Sequence, residues 1–190
     1  MSRQIGLKDV SFAKMLTDVL AGATYDTVKK YERTLSAKIT PKSDTETEYS
    51  DDNVEDIVSQ FTSVDVEIEL NQLSLETRAF LQGSKVVNGI LIENKDDIAP
   101  YVYMAFRSKK ANGKYRYVAL FKGKFELTAD NFETQADKVK SQTATIKGTF
   151  MARDFDGNWR LIGDEDANVT DVTALASWLT TVPTIPVAQP

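Results

Sequence analysis

The sequence predicts a mainly β fold, a β-sandwich or partly open barrel with one short packed α-helix. In residues 64–70, apolar and acidic side chains alternate strictly, as in a strand with one face on a core. The turn signals Asn112-Gly113 and Asp156-Gly157 separate further β-rich segments. Only residues 74–82 combine a good helix start with a good helix end. Many short strands with few helices are typical of sandwiches and barrels.

The N-terminal segment, up to about residue 25, is compatible with two structures. Its apolar residues fit one face of a helix, and they fit equally an extended arm with a turn at Gly22. The next segment, residues 28–39, has the pattern of a strand. We expect Pro41 to end that strand, because proline cannot donate to a continuing ladder.

Residues 42–59 are the longest stretch without a pattern of regular structure. Loops of this length are uncommon in compact domains, and they are usually functional or disordered. We therefore expect a long loop at about 41–60, which is either a solvated acidic loop or a segment that reaches a neighbouring subunit. Its acidic residues are Asp44, Glu46, Glu48, Asp51, Asp52, Glu55 and Asp56.

The helix predicted over residues 74–82 has signals at both ends. Ser74 is a good N-cap and Glu76 suits the positive end of a helix. Gly83 stands where a left-handed residue often ends a helix. A helix of this length depends on packing for its stability.

The remaining predicted elements are strands, turns and one more short helix. Asn112-Gly113 predicts a type I′ hairpin turn, and Asp156-Gly157 predicts a second hairpin turn. A short helix is expected at 173–179, followed by an extended tail that contains Pro183. The predicted strands are 86–92 with a break at Asn88-Gly89, 101–107, 115–127 with a bulge at Gly123, 143–152 and 159–162.

The composition excludes several classes of function. The chain of 190 residues contains no cysteine and no histidine, so disulfides, thiolate chemistry, a Ser-His-Asp triad and histidine-bound zinc are impossible within it. The net charge of -5 disfavours nucleic-acid binding. No apolar run approaches the roughly 20 residues of a membrane span. Charged residues interrupt any signal peptide. We expect no cofactor, no metal and no membrane partner.

Several short segments occur in an order that is characteristic of one family. They are Ile5–Val10, Tyr49–Asp52, Leu73–Glu76, Gly89–Glu93, Asp97–Val102, Lys109–Val118, Lys122–Phe125 and Gly148–Phe150. Through these segments the chain resembles the major tail protein family of long-tailed siphophages that infect Gram-positive bacteria. The resemblance covers most of the chain and depends on the order of the segments rather than on any single residue.

The resemblance implies a phage tail-tube fold and a structural virion protein without enzymatic activity. Six copies form a ring, and stacked rings form the tube through which DNA is ejected without specific binding. Other tail proteins are implied as partners, such as the tape measure, tail terminator and distal tail proteins. Assembly takes place in the host cytoplasm and the product is the virion tail. The implied tail-tube domain is 1–170, with an N-terminal arm and the long loop, and 171–190 is a C-terminal extension.

The charge pattern suggests how such copies contact each other. Residues 44–56 are purely acidic and residues 107–124 purely basic, and head-to-tail contacts need two unlike surfaces. We expect the acidic loop of one ring to meet the basic hairpin of a neighbouring ring in the stack, with apolar loop residues supplying most of the attraction. The inter-subunit candidates are Asp44, Glu46, Glu48, Asp51, Asp52, Val54, Ile57, Phe61, Arg107, Lys109, Lys110, Lys114 and Arg116.

A second hypothesis concerns Asp65, Glu67 and Glu69, which alternate with the apolar residues of the 64–70 strand. Carboxylates on the wall of a DNA conduit repel the polyanion and keep it from sticking. These three residues are therefore lumen candidates. An ordinary solvent-facing side of an antiparallel sheet explains them as well.

Three other functions remain open at this point. Tyr115 and Tyr117 among lysines are compatible with a nucleic-acid patch. A β-sandwich that binds sugar or protein on a cell surface is the main alternative, with Trp159 and Trp178 as ligand-platform candidates, although such tryptophans are more often packing residues. A glycosidase with paired carboxylates has no motif to support it.

Overall fold

The computed structural model describes residues 2–50, 53–130, 143–167 and 171–185, with side chains at 48–50 and 53–55 excepted. This part of the chain is mainly β, as the sequence predicts. Its elements are β1 (Gln4–Val19), β2 (Gly22–Tyr25), β3 (Lys29–Lys30), β4 (Thr34–Ser50), β5 (Asn53–Leu70), α1 (Leu75–Gln82), β6 (Lys85–Val87), β7 (Ile90–Ile92), β8 (Val102–Lys110), β9 (Tyr115–Phe125), β10 (Ala144–Met151), β11 (Arg160–Asp164) and α2 (Val172–Ser177).

Nine of the strands form one large, open antiparallel sheet. Its order is β2-β1-β8-β9-β10-β5-β4. Two further strands each pair with part of a longer strand. The β11 strand pairs with the first half of β9, and β3 pairs with β1. The β6 and β7 strands form a separate two-stranded hairpin. The fold class predicted from the sequence is thereby confirmed.

One row of paired residues crosses six strands and defines the two ends of the sheet. It runs through Lys14, Val102, Gly123, Phe150, Val64 and Pro41. On one side of this row lie the start of β1, the β8–β9 turn and the far part of the β4–β5 hairpin. We call this side the arm end. The β1–β2 turn and the segment between β5 and β8, which contains α1 and the β6–β7 hairpin, lie on the other side, the helix end.

The main core lies on the face of the sheet that α1 covers. Val64, Val66, Ile68 and Leu70 are at most 2% exposed, which confirms the alternation predicted for this strand. Leu81 of α1 belongs to the same cluster. The sheet curls so that β1 approaches β4 across this core, as a partly open barrel does.

A smaller apolar cluster occupies the opposite face, and the C-terminal segment covers it. The cluster contains Tyr103 and Phe121, against which Trp178 and Ile185 pack. The Tyr103 hydroxyl donates a hydrogen bond to the Trp178 carbonyl oxygen at 2.9 Å. The helix predicted at 173–179 is present as α2. Residues 171–185 are therefore packed on the sheet.

The N-terminal segment is extended, so the helical alternative for it is wrong. Sixteen of its residues, Gln4–Val19, form β1. The side chains from Ser11 to Ala13 are buried because the strand is covered on both faces. A strand buried on both faces shows no clean alternation. This explains why its sequence pattern is weak.

The expectation that Pro41 ends a strand is wrong. The β4 strand runs through Pro41, which pairs in register with Val64 of β5. This is possible because β4 is the edge strand of the sheet. On the outward side of an edge strand a backbone N–H has no ladder partner, so its absence in proline costs no hydrogen bond.

The expected loop at about 41–60 is also wrong. Residues 42–50 and 53–63 continue β4 and β5 as a two-stranded ribbon beyond the last residue of β5 that pairs with β10, Val64. We call this ribbon the β4–β5 arm. Its tip, with the candidates Asp51 and Asp52, lies outside the described residues. The ribbon is solvated on both sides, so its sequence lacks the apolar alternation by which a strand is recognised.

The predicted helix is confirmed in its bounds and in both caps. The Ser74 hydroxyl accepts a hydrogen bond from the Thr77 N–H at 3.2 Å, and Gly83 has φ 79°. A Cβ at Gly83 would lie 2.2 Å from the Ile98 carbonyl oxygen. Both its conformation and the close chain approach therefore require glycine.

The predicted turns are present, with two corrections. Asn88 and Gly89 both have positive φ, 51° and 76°, so the break predicted there is a type I′ hairpin turn. At the β8–β9 turn only Gly113 has positive φ, and its N–H donates to the Lys110 carbonyl, so this turn is not type I′. The Asp156-Gly157 turn is present, but β10 and β11 pair with β9 rather than with each other.

Gly123 lies beside a bulge, as the sequence suggests. The register between β8 and β9 shifts between Val102 and Met104, opposite the residues just before Gly123. At the same place β9 changes its partner from β11 to β10. A Cβ at Gly123 would lie 2.3 Å from Phe150 Cγ, so the absent side chain also makes room for a buried ring.

Candidate assembly interface

The β4–β5 arm has two chemically different faces. The register opposes Thr45 with Ser59 and Thr47 with Ile57, which gives a neutral face of hydroxyl and apolar groups. The alternate pairs place the acidic residues together on the other face. The described acidic side chains there are Asp44, Glu46 and Asp56, and all three are exposed.

Two apolar residues near the middle of the β4–β5 arm are exposed on opposite faces. Ile57 is 59% exposed on the neutral face, and Val58 is 49% exposed on the acidic face. Neither has a core to pack against at this distance from the sheet. The side chains of the candidates Glu48 and Val54 lie outside the described part of the chain.

Phe61 fixes the base of the β4–β5 arm to the body of the protein. Its ring stacks on Trp159, with centroids 4.8 Å apart and planes at 10°. Arg160 covers Trp159 at 4.3 Å. The inter-subunit candidate Phe61 is thus an internal packing residue, and the indole of Trp159 is occupied by this contact.

Most of the charged side chains of the basic β8–β9 hairpin form ion pairs within the subunit. The Lys110 side chain is 5% exposed and pairs with Asp164 at 2.5 Å and Asp166 at 2.8 Å. Arg116 also pairs with Asp164. The hydrogen bond from Arg116 lowers the pKa of Asp164 and outweighs the opposing effect of burial. These ion pairs hold β11 and the residues after it against the hairpin.

Arg107 is likewise engaged within the subunit. It pairs with Asp9 at 2.6 Å, and Lys30 contacts the same carboxylate. Burial acts to raise the pKa of Asp9, but the hydrogen bonds from Lys30 and Arg107 lower it overall. The guanidinium also lies 4.5 Å from the centroid of the Tyr115 ring.

Lys109 and Lys114 are therefore the basic candidates with charge left for a neighbour. Lys109 forms no ion pair with any residue for which the structure gives a side chain. The Lys114 side chain is 53% exposed, and the Asp166 carboxylate lies 3.6 Å from its ammonium. Both residues flank the β8–β9 turn, at the arm end.

A buried ion pair between β1 and β9 was missed from the sequence. Lys122 Nζ lies 2.7 Å from Asp18 Oδ2, and the two side chains are 9% and 6% exposed. Asp18 also accepts the N–H groups of Asp154 and Phe155, at 2.9 and 3.1 Å. The pair connects the β1–β2 hairpin to the turn after β10. Its residues are 104 positions apart, so no local sequence signal joins them.

The lumen candidates lie together on the face of the sheet opposite the main core, next to lysines. Asp65 pairs with Lys42 at 2.7 Å, and Glu67 lies 3.8 Å from Lys147. The register also places Lys38 directly opposite Glu67. Glu69 accepts hydrogen bonds from Ser36 and Thr143. The row of carboxylates read from one strand is therefore part of a charge-balanced surface made by β4, β5 and β10.

The aromatic residues offered for other functions are packed. Tyr117 is 2% exposed and its hydroxyl donates to Glu165 at 3.1 Å, so its ring is not available to stack on a base. Trp178 packs against the smaller core. In the residues that the structure describes, no cluster of three or more potential metal ligands occurs. The same residues contain no helix with the length and apolar character of a membrane span.

Comparison with known proteins gives one family. A family model described as phage tail tube protein matches residues 23–168. The matched range contains the whole β4–β5 arm, α1 and the strands β4 to β11. No curated protein matches the chain significantly.

Proposed function

The chain belongs to the phage tail tube protein family, a structural component of the virion tail and not an enzyme, and from this premise we propose how it assembles. Identical copies form rings, six to a ring, that stack into a hollow tube. The tube is the conduit for DNA ejection in a siphophage of a Gram-positive host. Its ends and interior contact the tape measure, tail terminator and distal tail proteins. The copies associate through the β4–β5 arm.

The length and exposure of the β4–β5 arm carry this proposal. Each of its strands adds about ten residues beyond the sheet, a reach of roughly 30 Å at about 3.3 Å per residue. An isolated two-stranded ribbon is marginally stable in water. A ribbon of this length that also exposes Ile57 and Val58 is expected to gain its stability by packing against another copy.

The acidic face of the arm and the basic β8–β9 hairpin form the proposed charged contact. Both lie at the arm end, so they meet most directly between copies that stand side by side in one ring. The proposed partners are Asp44, Glu46 and Asp56 on one copy and Lys109 and Lys114 on its neighbour. Exposed ion pairs contribute only about 0–1 kcal/mol each. Repeated around a ring, they set orientation rather than supply the main attraction.

A charge-reversal series tests this contact. The double substitution Lys109→Glu and Lys114→Glu is expected to slow or abolish tube formation, and a further Asp44→Lys and Glu46→Lys change to restore it. Lys110 is left unchanged, because its buried ion pairs with Asp164 and Asp166 stabilise the subunit itself. Lys95→Glu, an exposed reversal at the helix end, is the matched control. Normal assembly of the double variant would show that these lysines do not make the contact.

We also propose that the face bearing Asp65, Glu67 and Glu69 lines the lumen. The lysines next to these carboxylates cancel part of their field, so the wall neither grips nor strongly repels phosphates. Such a wall suits a conduit through which DNA slides. A reconstruction that places these three side chains on the outside of the tube would refute this assignment.

The direct test of tube formation compares two chains by electron microscopy. Purified wild-type protein at high concentration is expected to form rings or hollow filaments of uniform width. The control lacks the arm, with residues 43–62 replaced by an Asn-Gly turn between Lys42 and Ser63, which pair in register. It should give the circular dichroism and unfolding transition of a folded subunit, but no filaments. Filaments of normal width from this variant would contradict the role of the arm.

A further inference from the structure

The β6–β7 hairpin presents an apolar face to solvent at the helix end. Its strands contain five apolar residues out of six. Val86 and Leu91 are half-buried on the side toward α1. Val87, Ile90 and Ile92 lie on the other side and are 50%, 65% and 52% exposed. The exposed Lys85 pairs with Ile92 at the edge of this face, away from the turn. A free surface of a small hairpin is normally polar, so this face is expected to be covered in the working state of the protein.

The neutral face of the β4–β5 arm is a chemically suitable cover. Its described side chains next to Ile57, those of Thr45, Thr47 and Ser59, all carry hydroxyl groups, and Asp44 and Glu46 lie on the reverse face. A contact through the neutral face leaves those carboxylates in water, which avoids the cost of burying a charge. β-branched side chains such as Thr47 and Ile57 also pack well on a flat β surface.

The two surfaces lie at opposite ends of the sheet. Head-to-tail stacking joins two different surfaces of one molecule, and these must lie at opposite ends for the stack to continue. The arm projects from one end, and the β6–β7 hairpin lies at the other. An arm that reaches beyond its own ring meets the helix end of the next copy.

We propose that the neutral face of the arm, centred on Ile57, packs on the apolar face of the β6–β7 hairpin of the next copy along the tube. This inference rests on the proposed function and adds the receiving surface to it. The arm then has two neighbours, a lateral one on its acidic face and a stacked one on its neutral face. Three exposed side chains bury far less surface than the roughly 800 Å² per partner of a stable interface. The contact therefore forms only together with the others in a tube.

Disulfide trapping tests the contact, because the wild-type chain contains no cysteine. A double variant Ile57→Cys and Ile90→Cys is assembled, oxidised and run on a non-reducing gel. A ladder of covalently linked chains is expected, because each copy carries both halves of the contact. Val58→Cys with Ile90→Cys is the matched control, since Val58 lies on the opposite face of the arm. The two single variants should give no ladder.

The outcomes separate this inference from the proposed function. Tubes that form, by microscopy, but give no ladder overturn the assignment of the β6–β7 face and leave tube formation intact. If the double variant does not assemble alone, the single variants Ile57→Cys and Ile90→Cys are assembled together in equal parts, where cross-linked dimers replace the ladder as the expected product. A ladder from the Val58 control as strong as that from Ile57 would also contradict the proposed orientation.

A second variant gives an independent readout. Ile90→Thr keeps β-propensity and removes apolar surface from a position that is 65% exposed, so the unfolding midpoint of the monomer should not change. The yield of tubes is expected to fall at least tenfold. An unchanged yield would overturn the inference.

Discussion

Asp18 and Lys122 show how single residues hold the β1–β2 hairpin against β9 and the turn after β10. The ion pair is buried, and the remaining lone pairs of Asp18 are used by two backbone N–H groups. A buried pair of this kind contributes little when compared with apolar residues of the same size. Lys122 Nζ also lies 2.9 Å from Asp154 Oδ2, but the Asp154 side chain is 69% exposed. Removal of Asp18 is costly, because the buried ammonium then keeps only this exposed partner.

Asp18→Asn is therefore expected to lower the free energy of unfolding by about 1–3 kcal/mol, because it leaves the buried Lys122 ammonium with only the exposed Asp154 carboxylate as a charged partner. Chemical denaturation of the isolated subunit measures the change. Asp65→Asn is the control, since its ion pair with Lys42 is about half-exposed on both sides, and it should cost less than about 1 kcal/mol. Equal losses of unfolding free energy in the two variants would show that the buried pair stabilises the subunit no more than the exposed pair does.

The same carboxylate makes stability depend on pH. Burial acts to raise the pKa of Asp18, but hydrogen bonds from Lys122, Asp154 and Phe155 lower it overall from the ordinary value of 3.8. A lowered folded-state pKa adds stability above the unfolded-state pKa, and this stability is lost as the pH falls through the folded-state pKa. Wild-type stability should decline below about pH 3.8. The decline should be shallower in Asp18→Asn, and identical acid limbs would contradict the assignment.

Gly123 is a second residue whose role is visible only in the fold. Gly123→Ala would place a methyl group 2.3 Å from the Phe150 ring, which is fully buried, so the ring or the strand has to shift. We expect destabilisation of about 1–3 kcal/mol from overpacking, measured as a lower unfolding midpoint. Gly6→Ala is the control, because the nearest atom to its Cβ is Lys109 Cβ at 4.0 Å. A stable Gly123→Ala subunit would mean that the core accommodates the added methyl group.

At the scale of elements, prediction succeeded where an element has one buried face. The 64–70 strand and α1 each carry a clear apolar pattern, and α1 also carries both caps, so their positions follow from the sequence. The β4–β5 arm lacks such a pattern because both of its faces are solvated, and β1 lacks one because parts of both faces are buried. Periodicity detects only half-buried elements. The basic β8–β9 hairpin was predicted. Its Lys110 and Arg116 form ion pairs within the chain, but their partner Asp164 lies in β11, 48 residues after Arg116, so the sequence does not indicate these pairs.

The attachment of the β4–β5 arm gives a prediction at this scale. Trp159→Ala removes the ring on which Phe61 stacks, so the base of the arm is expected to open more often. Hydrogen exchange should become at least several-fold faster for backbone amides of residues 42–47 and 56–63, and unchanged for the core strand β8. Ile98→Ala, at a position that is 77% exposed, serves as the control. Unchanged exchange in the arm would show that Trp159 does not hold it.

At the scale of the whole molecule, the fold class and the tail tube family follow from the sequence, whereas the arrangement of the surfaces does not. The row from Lys14 to Pro41 joins residues from six strands, and only this register places the arm and the basic hairpin at one end and the β6–β7 hairpin at the other. A long-range register depends on which strands pair, and the sequence pattern of each strand alone does not specify that.

A cryo-EM reconstruction of the tail tube formed by this chain is the most direct test of the proposed assembly. Stacked rings of identical copies around a hollow channel are expected. Each β4–β5 arm should have its acidic face against a lateral neighbour and Ile57 against a β6–β7 hairpin of the next ring. A tube in which the arms extend freely into solvent, or tails whose tube consists of a different protein, would contradict it.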